Sequence, residues 1–288
     1  MTRFLLFATL CGGSACAGGY SSPGTPPAPA PAAAARPTPK ATLLVFTPGT
    51  MRYLWHQDVH TESDFAGMPP ISDRRYSLYI TVAIAEPADS IGYLTSFTVD
   101  SVTVDSGSQF PPQFNLRVVK GFRMTGRLTF TGEFRDLVPS DPATVASVGC
   151  LLPRFHSFFP RLPLGGIHPD TAWTDSTSTT DNYCGTTVSY RSLNQRVATA
   201  WEDHGGVRAL PLAVTASYAF TGSGEQSGSS FTMSGTGMGT SRQILAGDGR
   251  YLGSESRDST TVTIDITPSG VSIPQRQITR TTVTVLPN

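Results

Sequence analysis

Apolar and polar residues alternate with a period of two through most of the chain beyond residue 41. The pattern is clearest between Phe114 and Phe134. There Phe114, Leu116, Val118, Phe122, Met124, Leu128, Phe130 and Phe134 occupy even positions, while Arg117, Arg123, Thr125, Arg127, Thr129, Thr131 and Glu133 occupy odd ones. A strand sends alternate side chains to opposite faces, so this run specifies one dry face and one wet face. So long a run exceeds an ordinary strand, and Gly121 or Gly126 is the expected break, as a loop or bulge that preserves the parity. Similar β-type text occurs in TLLVF, MRYLW, YSLYITVAI and YLTSFTVDSVTV before this run. After it come TTVSYRSLNQRVATAW, VRALPLAVTASYAF, SFTMSGTGMGTSRQIL, RYLGSESRDSTTVTIDI and RQITRTTVTVL. Pro, Gly, Asp and Ser punctuate these segments, and Asp248-Gly249 is a tight-turn signal of the hairpin kind.

One stretch breaks the alternation. Asp141 offers an N-cap carboxylate, Pro142 suits the first helical position, and Val145, Val148, Leu151 and Leu152 fall at helical spacing until Pro153. An aromatic and proline-rich connector follows, with Phe155, Phe158, Phe159, Pro160, Pro163 and then Trp173. Residues 41–139 therefore read as a first β half, 140–175 as helix and connector, and 176–288 as a second β half, with 41–288 expected to form one globular unit.

Composition supports many short strands joined by turns: the chain has 28 Gly, 23 Pro and only 15% charged residues. Its formal net charge is zero, which removes the electrostatic footprint expected of a nucleic-acid-binding protein.

Residues 1–17 carry Arg3, an apolar run from Phe4 to Leu10 and small residues from Gly12 to Ala17, the anatomy of an export signal. The apolar run is too short to span a bilayer. Two processing readings fit. Ala15-Cys16-Ala17 matches a cleavage site, whereas Gly13-Ser14-Ala15-Cys16 resembles the lipobox of bacterial lipoproteins, a resemblance that implies lipid attachment at Cys16. Residues 18–40 form a Gly, Ser, Pro and Ala tract suited to a semi-rigid tether, which favours the anchored form. With Cys11 inside the signal, Cys150 and Cys184 are left in the mature domain. In an exported protein they suggest one disulfide, closing a loop of about 34 residues and worth roughly 3–4 kcal/mol. Two buried free thiols are the alternative.

Candidate chemistry is sparse. His56, Asp58 and His60 would share one face of a strand, the spacing a metal site needs, with Glu62 and Asp64 continuing it. A helical zinc-protease reading fails because Gln57 stands where that motif needs a glutamate base. An exposed polar strand face explains the trio better, and no metal or cofactor is assigned. Phe155, Phe158, Phe159 and Trp173 either line a hydrophobic pocket or fill the core beneath the connector. Arg117, Arg123, Arg127 and Arg135 read as an outer face paired with acidic residues rather than as a ligand stripe. Gly235, Gly237 and Gly239 lie in strand text without a following helix, so they read as flat or bulged β rather than a nucleotide loop. His168 and Asp170 offer residue types for a catalytic triad without local geometry to support one.

A shift of 115 residues lays Ser77-Leu78 on Ser192-Leu193 and Val82-Ala83 on Val197-Ala198. It also lays Thr125, Arg127, Gly132, Arg135 and Leu137 on Thr240, Arg242, Gly247, Arg250 and Leu252. Two blocks agreeing at one offset suggest a duplicated β-meander. Phe159-Pro160-Arg161-Leu162-Pro163, followed by Asp170, Trp173, Gly-x-Gly repeats and a Gly-Asp-Gly turn, resembles a group of uncharacterised bacterial lipoproteins over residues 158–266. Their mid-chain Gly-Asp-x-Trp element differs here, with Pro169 before Asp170 and Trp173 one residue later.

The expected protein is mainly β: curved antiparallel sheet from two duplicated meander halves, with one short helix in the central connector. It is expected to be exported to the bacterial cell envelope, membrane-anchored through Cys16 or otherwise periplasmic or secreted. The expected role is non-catalytic, structural or protein-interacting; the second expectation is a binder of a hydrophobic ligand or lipid between sheet and helix.

Overall fold

A computed structural model describes residues 41–63, 71–87, 89–108, 110, 116–149, 152, 155–183, 185–226, 228–267 and 269–287, all within one compact unit, Pro39–Asn288. Most of the alternating segments become strands. The elements are β1 (Gly49–Ser63), β2 (Ile71–Pro87), β3 (Gly92–Val104), β4 (Arg123–Thr129), β5 (Phe134–Pro139), α1 (Pro142–Val148), β6 (Ala172–Tyr183), β7 (Thr186–Ala198), β8 (Glu202–His204), β9 (Val207–Gln226), β10 (Ser229–Ala246), β11 (Tyr251–Thr267) and β12 (Val271–Leu286). They form a single antiparallel 12-stranded sheet in the order β5-β4-β3-β2-β1-β12-β11-β10-β9-β7-β6, with β8 attached to β9. The sheet is curved and does not close.

The two halves meet at the chain's ends. β1 lies against β12 over twelve paired positions from Arg52–Leu286 to Ser63–Gln275, which joins the N-terminal meander to the C-terminal one. The edges β5 and β6 are left at opposite sides of the sheet and are linked in sequence by the connector. That segment touches both, with α1 against β6 and the 3-10 turn Phe155–Ser157 against β5.

The connector fills the core. Phe158 is 4% exposed and packs its ring 5.2 Å from Phe97, 5.3 Å from Tyr53 and 5.5 Å from Tyr251. Phe159 packs against Phe46 at 5.2 Å, and Phe155 against Phe97 at 4.5 Å. Leu78, Ile80, Val82, Leu210, Leu212 and Leu245 complete this cluster from the sheet. Burial of the Tyr53 and Tyr251 hydroxyls raises both pKa values far above the ordinary tyrosine range, and Tyr53 donates to the Tyr251 carbonyl at 2.9 Å. All of this lies where β1 begins. The polypeptide therefore enters at a plugged end, where the first stretch is pinned by a Thr42–Ile167 bridge.

Several local expectations are corrected. TLLVF makes only that bridge and no strand, although Leu44 and Phe46 are buried while Leu43 and Val45 are exposed; the alternation serves packing without a ladder partner. The long even-numbered run is not all strand. Leu116–Val119 is a 3-10 helix, whereas the expected breaks are found at both glycines: the chain turns at Gly121 (φ 82°) before β4, and the register shifts between Thr125 and Arg127, across Gly126. α1 is shorter than the spacing to Leu152 implied. The Asp141 carboxylate caps it by accepting from the Ala143 N–H at 3.0 Å, and the helix ends at Gly149, whose N–H bonds the Val145 carbonyl. The Asp248-Gly249 turn is present, with Gly249 at φ 90° packed so tightly on the Val45 carbonyl that a Cβ would not fit.

At the shift of 115, strands β2, β3 and β4 fall on β7, β9 and β10, and the facing pair Tyr76–Val104 falls on the facing pair Arg191–Ala219. The first matched block nevertheless changes face. Leu78 and Val82 are buried at 0% and 1%, whereas Leu193 and Val197 are 48% and 40% exposed. An odd offset between strands whose even positions both face inward produces that inversion.

Candidate functional site

β9 contains 20 residues and at about 3.3 Å per residue extends roughly 65 Å, so the long strands run well past the aromatic plug. Their core-facing residues can be read row by row from the pairing registers. Beyond the plug comes a polar belt. Arg196, 7% exposed, bonds the Asp175 carboxylate through Nε and donates from a terminal guanidinium nitrogen to Gln243 Oε1 at 2.8 Å; Asn194 donates to the other Asp175 oxygen at 2.9 Å. Trp173 faces Arg196 across the β6–β7 pair, and its buried indole N–H has no acceptor among the described residues.

The last three rows, toward the hairpin tips, are apolar across β9, β10 and β11, while polar residues enter them on β6 (Thr179 and Asp181), β7 (Thr186) and β12 (Gln275). Tyr190, Phe220, Gly235 and Val262 align in one, Val188, Gly222, Met233, Ile264 and Ile273 in the next, and Gly224, Phe231, Ile266 and Val271 in the third. Val188, Val262 and Ile273 are buried and the other side chains half-buried, yet none belongs to the core cluster at the plugged end. Here the glycines have a packing role. Gly235 sits opposite Phe220, Gly237 opposite Tyr218, Gly224 opposite Phe231 and Gly222 opposite Met233. A Cβ on Gly235 would lie 2.8 Å from Phe220 Cε1, and one on Gly222 would lie 2.8 Å from Met233 Cε. Each large side chain therefore lies down across its glycine partner, making a flat apolar floor instead of a ridge. Tyr218 is held in this posture by a 2.6 Å hydrogen bond between its hydroxyl and Thr260.

The opposite face is hydrophilic. β6 presents Thr174, Ser176, Ser178 and Thr180, β9 presents Thr215, Ser217, Thr221 and Ser223, and β11 presents Glu255, Arg257 and Ser259. A lipid-spanning barrel needs the reverse polarity, with an apolar band outward. Among the described residues no helix is long and apolar enough to cross a membrane.

His56, Asp58 and His60 do share a face of β1, and that face is the hydrophilic one. Each engages a different neighbour on β2. His56 hydrogen-bonds with Ser77 at 2.9 Å, Asp58 accepts from Arg75 at 3.4 Å, and His60 bonds Asp73 at 2.7 Å. The Asp73 hydrogen bond is the main cause that holds the His60 pKa above its ordinary value. Among the described residues no group of three or more His, Cys, Asp or Glu side chains is placed to hold a metal ion. Phe155, Phe158 and Phe159 are brought together, as packed core, and Trp173 borders that cluster. Arg127 pairs with Asp89 and Arg135 with Glu133. Cys16, Cys150 and Cys184 lie outside the described residues.

No protein-family model matches the chain, and no curated protein matches it significantly. Among solved structures, the crystal structure of Pseudomonas aeruginosa OccK2 (OpdF) is similar over 83% of this chain and 98% of that chain, at 7% identity and a TM-score of 0.29. The same protein in complex with glucuronate aligns over the same shares at 9% identity and a TM-score of 0.21. Likeness at these scores carries no weight for the fold or function of this chain.

Proposed function

We propose that this chain is an exported, non-catalytic cell-envelope protein, tethered through Cys16, that holds a hydrophobic ligand of acyl-chain type on the flat apolar floor of β7, β9, β10, β11 and β12. The observation that carries this reading is the paired arrangement of glycine with Tyr218, Phe220, Phe231 and Met233 on one face, opposite a face of serine and threonine. Five strands at about 4.8 Å spacing make a floor roughly 19 Å across, comparable with an extended acyl chain. The one charged group in its rows, Asp181, is engaged by His156 at 3.1 Å. The earlier expectation of a pocket between sheet and helix moves accordingly, because Phe155, Phe158 and Phe159 are occupied with one another and with the sheet.

The test is titration with a fluorescent fatty acid. The wild-type mature protein should bind it saturably, and the variant Met233→Asp/Ile264→Asp should lose binding while keeping its circular dichroism. Equal binding by both would refute the site. Retention of a Cys16→Ser variant in the membrane fraction would refute the anchor. A protein-contact role is the second reading, supported by Leu193 and Met238, 48% and 66% exposed, in one row of the hydrophilic face.

A further inference from the structure

On the hydrophilic face, β2, β1, β12 and β11 align Arg75, Asp58, Arg280 and Arg257 in one row. Asp58 serves Arg75, at 3.4 Å. Arg280 is then left directly opposite Arg257, both exposed, and neither has an ion-pair partner among the described residues. Like charges facing each other across an antiparallel pair destabilise a sheet. The nearest acid on the plugged side is Glu255, one row away; it faces Arg242, which is itself held by Glu202 at 2.5 Å. An open groove of about 480 Å³ runs over Arg257, Arg280, Thr240 and Thr282, with Arg242 and Glu255 at its border, and a second of about 240 Å³ is lined by Arg75 and His60 together with the carboxylates of Asp58 and Asp73. Arg280 lines both.

We propose that Arg257 and Arg280 form a binding site for an oxyanion of phosphate type, whose oxygens bridge the two guanidinium groups. The chemistry follows from shape as well as charge. Guanidinium groups present planar forks that bind tetrahedral or planar oxyanions in bidentate fashion, and a dianion between two of them converts a repulsive pair into two charge-assisted contacts. The hydroxyls of Thr240 and Thr282 border the same groove and supply further donors. This site is on the opposite face from the apolar floor and stands independently of it.

Thermal midpoints of the full-length mature protein measured in inorganic phosphate, against sodium chloride of equal ionic strength, test the proposal. Wild type should show a saturable rise in phosphate, and Arg257→Ala and Arg280→Ala should each lose most of it. In low salt without phosphate, either variant should melt no lower than wild type, because the repulsion is relieved. Equal rises in wild type and variants would show a general salt effect and overturn the site, as would the lack of any rise in wild type. Co-sedimentation with phosphatidylcholine vesicles, with and without phosphatidylglycerol, identifies the source of the phosphate. Arginine-dependent binding to the anionic vesicles assigns a lipid headgroup; a phosphate-specific rise without vesicle binding assigns a soluble phosphate.

Discussion

Phe158→Ala should be among the most damaging single substitutions in the molecule. The side chain is 4% exposed and meets five rings, those of Tyr53, Trp55, Phe97, Phe159 and Tyr251, at centroid separations from 5.2 to 6.1 Å. These rings come from β1, β3, β11 and the connector, so the cavity left behind would be walled by strands that cannot all relax inward. Truncation of a buried phenylalanine costs about 3–5 kcal/mol, and loss of the edge-to-face contacts places this site toward the upper part of that range. In a unit of this size each kcal/mol lowers the midpoint by about 2–4 °C, so a fall of roughly 6–20 °C is expected. Urea denaturation and calorimetry on the mature protein would measure it, with Leu164→Ala, at an 85% exposed position, as the control expected within about 0.5 kcal/mol of wild type. A loss below about 1 kcal/mol for Phe158→Ala would refute the argument that the connector is the plug of the sheet.

Three further outcomes are expected. Gly235→Ala places a Cβ 2.8 Å from both Phe220 Cε1 and the Thr261 carbonyl, and should cost about 1–3 kcal/mol, while Gly165→Ala, with open space around it, should be near neutral by the same denaturation assay. The Asp141 carboxyl is held below its ordinary pKa, first by the Thr144 hydroxyl and then by the Ala143 N–H, so its contribution is present above the unfolded value and lost as pH falls through the lowered folded one. Wild type should therefore exceed Asp141→Ala in urea midpoint at neutral pH, and the two should converge in acid; a constant gap would contradict this. Cys150 and Cys184 follow the ends of α1 and β6 by two residues and one, those elements touch, and non-reducing peptide mapping should find the two cysteines joined; two free thiols would remove the disulfide.

Strand text with apolar alternation, such as that of β2 and β3, was legible because each such strand buries one face. β6 was not. Its core-facing residues are Trp173, Asp175, Thr177, Thr179 and Asp181, so both faces are polar and no hydrophobic period marks it. The β1–β12 junction was also illegible, since pairing between chain ends depends on contacts more than 200 residues apart that no local spacing encodes. The aromatic and glycine floor lay between these cases. Tyr218, Phe220, Gly222 and Gly224 on one arm and Phe231, Met233, Gly235 and Gly237 on the other are symmetric about the turn near Gly228, so fixing that turn would have paired each large residue with a glycine. Each arm alone reads only as glycine-rich strand. The arginine pair needed the β11–β12 register, because Arg257 and Arg280 show no relation in sequence.

Labelling of the wild-type protein with a photoreactive fatty acid, followed by peptide mapping, tests the central claim most directly. Saturable labels should fall on the β9, β10 and β11 peptides that carry Phe220, Phe231, Met233 and Ile264, and should be displaced by unlabelled fatty acid. Labels confined to the connector around Phe155 to Trp173, or no saturable labelling, would contradict it.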